Sequence, residues 1–174
     1  MPQAEVWLRG PVPTIPDLLQ PVAHGLLQCR EELHEYVAPL SPEALWARPS
    51  GAGSVGFHVR HAAGSLDRLF TYARGETLSA TQRAALETEN DPDLSSGAAI
   101  RLLAGFDAAV EAALAQLRAT DEAILLQPRG VGRAQLPSTV FGLLFHAAEH
   151  TQRHAGQAVT TIKIALSHRS GEQD

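Results

Sequence analysis

Cysteine is almost absent: Cys29 stands alone in 174 residues, so no disulfide can close within the chain and no thiolate-rich metal site can form. Aromatic residues make up only 5%, which leaves a core of Ala, Leu and Val. Alanine and leucine favour helix, whereas strands favour β-branched and aromatic residues. Basic residues are not in excess, with 14 Lys and Arg against 19 Asp and Glu and a net charge of −5. Nucleic acid and anionic membrane surfaces are therefore not expected as partners. No stretch approaches the roughly 18 apolar residues of a spanning helix. The opening Met1-Pro2-Gln3-Ala4-Glu5 lacks the positive segment and apolar run of a signal peptide. These absences together predict a reducing, cytoplasmic location. They also require any metal to be held by His, Asp or Glu.

What the chain does have is a 44% hydrophobic composition, enough for a real core, and 8 histidines. Its length fits one domain. Residues 7–16 carry Gly10 and three prolines and read as an ordered arm, so the expected organisation is an arm over 1–16, a helical bundle over 17–168 and a disordered tail over 169–174. The first long helix is expected from Leu18 to Val37, capped by Thr14 or Asp17, with Pro21 in its first turn. Ser41 to Ala44 can add one further turn.

The second long helix is predicted over Val55–Arg74, capped by Ser54 and closed by Gly75. Its stripe of Val55, Val59, Ala62, Leu66, Leu69 and Ala73 recurs at three- and four-residue steps. Ser79 to Glu89 reads as a short exposed helix, broken at Asn90-Asp91-Pro92-Asp93. A third long helix follows over Gly97–Ala119, with Ile100, Leu103, Phe106, Val110, Leu114 and Leu117 on its core face. Residues 127–136 form a loop in which a short hairpin could hide. Ser138 is expected to cap a fourth helix over Thr139–Leu166. Four long helices define an all-α bundle with short extra helices in its loops, a fold that builds its cofactor sites in the core. The third helix also carries Ala98-Ala99, Ala108-Ala109 and Ala112-Ala113, an apolar surface broad enough to suggest a homodimer through part of that surface or through the first helix.

The fourth helix carries His146, His150 and His154 at four-residue spacing. Each such step stacks one side chain over the next, roughly 6 Å along the axis. Two adjacent imidazoles can converge on one ion, but His146 and His154, about 12 Å apart, cannot easily share it. Spacing therefore allows His146 with His150, or His150 with His154. A third ligand must come from another helix. His58 and His61 share a face of the second helix and are the obvious donors; the apolar stripe passes slightly closer to His58. His24, His34 and His168 are further histidines. Neutral imidazole suits Zn, Ni, Cu and Fe. His146-x-x-Glu149-His150 also matches the H-x-x-E-H of inverted zinc peptidases, with Glu149 as base. Only 24 residues follow His150, too few for the catalytic domain such an enzyme needs.

The segment Val59-Arg-His61-Ala-Ala-Gly-Ser-Leu-Asp-Arg-Leu69, paired with the late His150-x-x-x-His154-x-Gly156-Gln157, resembles the DinB/YfiT-like family of DNA-damage-inducible bacterial proteins. The likeness covers nearly the whole chain in helix order, and the late motif is its most specific piece. It implies an up-down-down-up four-helix bundle, frequent homodimers, and one divalent ion, Zn or Ni first and Mn, Fe or Co next. By position, the resemblance selects His61, His150 and His154 as ligands. His58 and His146 then line the pocket, with Glu149, Arg153 and Gln157 as further outer candidates.

Three protein ligands leave a coordination position open for water or substrate. In relatives with known chemistry the resemblance implies thiol transfer or isomerisation, in which a low-molecular-weight thiol attacks a small electrophile. A metal-bound thiol loses its proton at neutral pH, so the chain need not supply the sulfur. Metal-assisted hydrolysis, with Glu149 or an outer histidine as base, and a non-enzymatic stress-related metal-binding bundle are the alternatives. Arg60, Arg68 and Arg153 are candidates to hold a substrate carboxylate.

Overall fold

The computed structural model describes residues 4–171, with side chains as far as residue 167. The described residues form six α-helices and one two-stranded hairpin. Four of the helices are long: α1 (Gln20–Val37), α3 (Val55–Ala73), α5 (Ala98–Ala119) and α6 (Val140–Gly171). Two are short: α2 (Pro42–Trp46) and α4 (Ala80–Glu87). The all-α bundle expected from helix propensity and stripe periodicity is the fold observed.

Side-chain contacts give the direction of each helix. Gly25 of α1 faces Gln152 of α6, and the Lys163 ammonium lies 5.7 Å from the Tyr36 ring, so α1 and α6 run parallel. His58 meets His154 while His61 meets His150, so α3 runs against α6. Arg30 reaches Glu111 at 2.5 Å and His34 reaches Asp107 at 2.9 Å, so α5 runs against α1. These three relations together set α5 parallel to α3, and the Gln116 amide ties the two helices by donating to the Phe70 carbonyl at 3.0 Å. The order is up-down-down-up. The crossover it requires, between the parallel α3 and α5, is the segment carrying α4.

Local chemistry accounts for several helix ends. Ser54 caps α3 by accepting from the Phe57 amide at 3.2 Å, and Gly75 follows α3 at φ +79°, a conformation that favours glycine. Ser79 and Gln82 form a capping box at the start of α4. At α1 the expectation fails, because neither Thr14 nor Asp17 caps it. A 3-10 turn over Asp17–Leu19 leads into the helix instead, with Pro21 in its first turn. Residues 127–136 do conceal a hairpin: β1 (Pro128–Val131) pairs antiparallel with β2 (Leu136–Thr139). That pairing takes Ser138 into the strand, and Thr139 caps α6 by accepting from the Gly142 amide at 3.0 Å.

Leu19, Leu26, Leu33, Leu66, Phe106, Leu117 and Leu144 lie wholly inside one core. Ile100, expected on the core face of α5, is instead 73% exposed. The buried stripe is centred on Leu103, Phe106, Val110 and Leu117, and at about 100° per residue Ile100 falls roughly 90° from that centre. The arm packs on α1: Val6 is buried with its amide on Gln28, and Arg9 pairs with Glu31 at 2.5 and 2.8 Å. At the other end the backbone of α6 continues to Gly171, so the expected tail lies outside the described residues only from residue 172.

Candidate metal centre

The site lies where α3 crosses α6. Helical spacing puts His150 and His154 one turn apart on α6, and the antiparallel α3 presents His61 to both. One nitrogen from each of His61, His150 and His154 forms a group whose members all lie within 4.8 Å of one another. His61 Nε2 and His150 Nε2 are 3.1 Å apart. Two nitrogens bound to one tetrahedral ion at 2.0–2.1 Å stand about 3.3 Å apart, so the spacing fits a shared cation.

Each imidazole has distinct surroundings. His61 Nδ1 is 2.6 Å from Glu89 Oε2, and Arg68 Nη1 donates to Glu89 Oε1 at 2.7 Å. Both Glu89 and Arg68 are buried. His154 Nδ1 lies 3.0 Å from His58 Nδ1. His58 is itself buried, and a Cβ on Gly53 would come within 2.7 Å of its ring, so only glycine admits that close approach. His150 Nδ1 is buried with no partner. The Phe57 ring stacks on His61 at 5.4 Å between centroids, forming an apolar wall.

Electrostatics favour neutral rings, the form that binds metal. Burial lowers the pKa of His58, His150 and His154, and neighbouring histidines lower them further; His154 falls to about 4. Burial alone would raise the Glu89 carboxyl, but the hydrogen bonds from His61 and Arg68 outweigh it and hold the group below its ordinary value. A consequence for stability follows. Between the unfolded value of 6.5 and the folded value of about 4, the unfolded chain binds a proton at His154 that the folded chain refuses. The metal-free protein is therefore expected to lose stability as pH falls through that window, read as a falling urea midpoint between pH 7 and pH 4. A midpoint that stays flat or rises on acidification would contradict it.

The other candidates lie elsewhere. His146 is exposed, 3.3 Å from Glu149, and outside the cluster. Arg153 holds Glu149 at 2.5 and 2.7 Å, which keeps that carboxyl below its ordinary range. Gln157 is exposed. His24 contacts the Gly10 carbonyl, and His34 contacts Asp107. His168 lies beyond the described side chains. Arg60 donates to the Thr88 and Asp91 carbonyls and lies over Trp46. Sequence reasoning put Glu89 at the end of a short exposed helix and gave it no role at the site, whereas it is buried beyond the end of α4. It sits in the segment after α4, 28 positions from its partner His61, where no helical spacing can flag it.

The DinB superfamily profile matches residues 26–158, most of the chain, and the protein belongs to that superfamily. Among solved structures it is similar to a conserved protein from Enterococcus faecalis. The two share 18% identity over 87% of this chain and 99% of that one, at a TM-score of 0.71. That likeness speaks for the fold alone. No curated protein matches the sequence.

Proposed function

We propose that this protein holds one divalent metal ion, Zn or Ni first among candidates, on His61, His150 and His154. In this reading it uses the open coordination position to join a low-molecular-weight thiol to a small electrophile. The observation that carries the reading is the convergence of three imidazoles with the 3.1 Å His61–His150 nitrogen separation. When bound, such an ion lowers the pKa of a thiol at the open position and makes its sulfur the nucleophile. Joining the thiol to the electrophile would form one S–C bond while the S–H bond and one polarised or strained bond at the electrophilic carbon break; the electron pair freed on the electrophile would take up the thiol proton, so no redox partner would be required.

The chain's own residues frame that chemistry. Phe57 shields one side of the cluster, and the outer partners Glu89 and His58 orient His61 and His154. Hydrolysis has less support, because each candidate base is already engaged: Glu149 by Arg153, His146 by Glu149 and His58 by His154. Cys29 is no rival nucleophile: it is buried in the core and its thiol is pushed up to about 12. Native protein at pH 7.5 is expected to react with a thiol-directed chromophore far more slowly than unfolded protein. Equal rates in the two states would contradict that placement.

The cobalt-substituted protein tests the function. Adding a cellular thiol should produce a sulfur-to-metal charge-transfer band, and the same thiol should then conjugate to an electrophile only in metal-loaded protein. An unchanged spectrum with every thiol tried would remove the transferase reading and leave a non-enzymatic metal-binding bundle. Assembly as a homodimer in the cytoplasm belongs to the same proposal. The exposed Ala108 and Ala112 border a cavity of about 590 Å³ between α3 and α5, an apolar surface that a second copy can cover. Light scattering should give twice 18.6 kDa at micromolar concentration; a mass of 18.6 kDa would count against the dimer.

A further inference from the structure

Among the described residues, His61 is the one of the three clustered histidines that hydrogen-bonds a charged group. Its Nδ1 stands 2.6 Å from Glu89 Oε2, on the side of the ring away from the Nε2 that faces His150. The Glu89 side chain is 4% exposed, and its second oxygen is taken by Arg68, itself 10% exposed. The assembly is closely fitted. A Cβ on Gly64 would stand 2.5 Å from Glu89 Oε1 and 2.7 Å from Arg68 Nη1, so glycine is what admits the pair beside α3. His150 Nδ1 has no partner, and His154 Nδ1 has only another imidazole.

From this arrangement we infer that Glu89 is a positioning residue, which fixes His61 as the tautomer protonated at Nδ1 and so keeps the Nε2 lone pair turned toward the ion site. An ionised carboxylate can only accept, and a guanidinium can only donate. Arg68 therefore keeps Glu89 an acceptor, and the single hydrogen in the 2.6 Å contact belongs to His61 Nδ1. With Nδ1 carrying that hydrogen, Nε2 of the neutral ring is bare. A carboxylate behind a ligating imidazole fixes its tautomer and orientation and raises its basicity. The segment after α4 thus contributes to the cluster without touching an ion. Arg68, offered by the sequence as a substrate clamp, is committed to this support instead.

The inference rests on the metal reading, and the experiment separates the two. Untagged wild type, Glu89→Gln and His61→Ala are each titrated with zinc against a chromophoric chelator. The ring nitrogens of His61 are also observed by nitrogen-15 NMR in the ion-free protein. Glutamine keeps the shape of Glu89 but loses its charge, and its amide must turn a donor toward either Arg68 or His61. Glu89→Gln should weaken zinc binding by about 10–100-fold. In wild type, Nδ1 should appear protonated and Nε2 bare, and Glu89→Gln should lose that single-tautomer signature.

Zinc affinity within about twofold of wild type in Glu89→Gln would overturn the inference while leaving the metal site standing. A merely structural clamp predicts that outcome together with a lower melting temperature. Wild type that binds no zinc, or His61→Ala that binds as tightly as wild type, would overturn the ligand assignment and this inference with it. If Glu89→Gln fails to fold, wild type alone decides: a His61 ring protonated at Nε2 contradicts the assignment.

Discussion

Replacing His61, His150 or His154 by alanine is expected to abolish stoichiometric binding of a divalent ion, each alone. Two imidazoles remain in every case, and two neutral ligands cannot close a site that is already open to solvent at one position. The loss should exceed the ~100-fold upper range of changes behind a ligand. His58→Ala removes the ring 3.0 Å from His154 Nδ1 and should cost about 10–100-fold. His146→Ala should have little effect, because that side chain is exposed and bonded to Glu149. Chelator competition across the five variants ranks them. Abolished binding in His146→Ala with intact binding in His154→Ala would show that the peptidase-like register is the true one.

Leu33→Ala is the complementary experiment, large in stability and small at the site. Leu33 is wholly buried on α1 and belongs to the core rather than the histidine cluster. Removing its side chain should cost about 2–5 kcal/mol. In a domain of this size each kcal/mol lowers the melting temperature by about 2–4 °C, so a fall of roughly 4–20 °C is expected. Saturating zinc, present at about 100 times its dissociation constant, should return about 2.7 kcal/mol of stability. A shift under 2 °C, or loss of zinc binding in the folded variant, would contradict the separation between core and site.

How far the sequence could be read depends on the range of the signal. Helix and bundle were legible because Val59, Ala62, Leu66, Leu103, Phe106 and Val110 repeat at helical steps, and that pattern is local. Ile100 was misread because a three-residue step drifts about 60° from its starting face, and a long helix accumulates the error. Ser138 was misread because 128–131 pair with 136–139, which carries the strand through Ser138 and puts its last residue, Thr139, directly before α6, where it caps.

The site shows the same division. His150 is fixed by spacing under either register, but spacing could not choose between His146 and His154, or between His58 and His61. Resemblance to a family made those choices, and the antiparallel crossing of α3 and α6 gives their geometry: His61 opposite His150, His58 opposite His154. The apolar stripe passes slightly closer to His58, which gave it a slight edge on periodicity alone, and the structure does bury it. Glu89 carries no periodic signal at all, since its partner lies across the α3–α4 turn and a whole short helix.

The central claim, one ion held by three histidines, is tested most directly by counting metal. Untagged protein stripped with chelator, reloaded with zinc or nickel and passed through gel filtration should carry one ion per chain, and His150→Ala prepared identically should carry none. Wild type that emerges without metal, or His150→Ala that retains as much as wild type, would contradict the account.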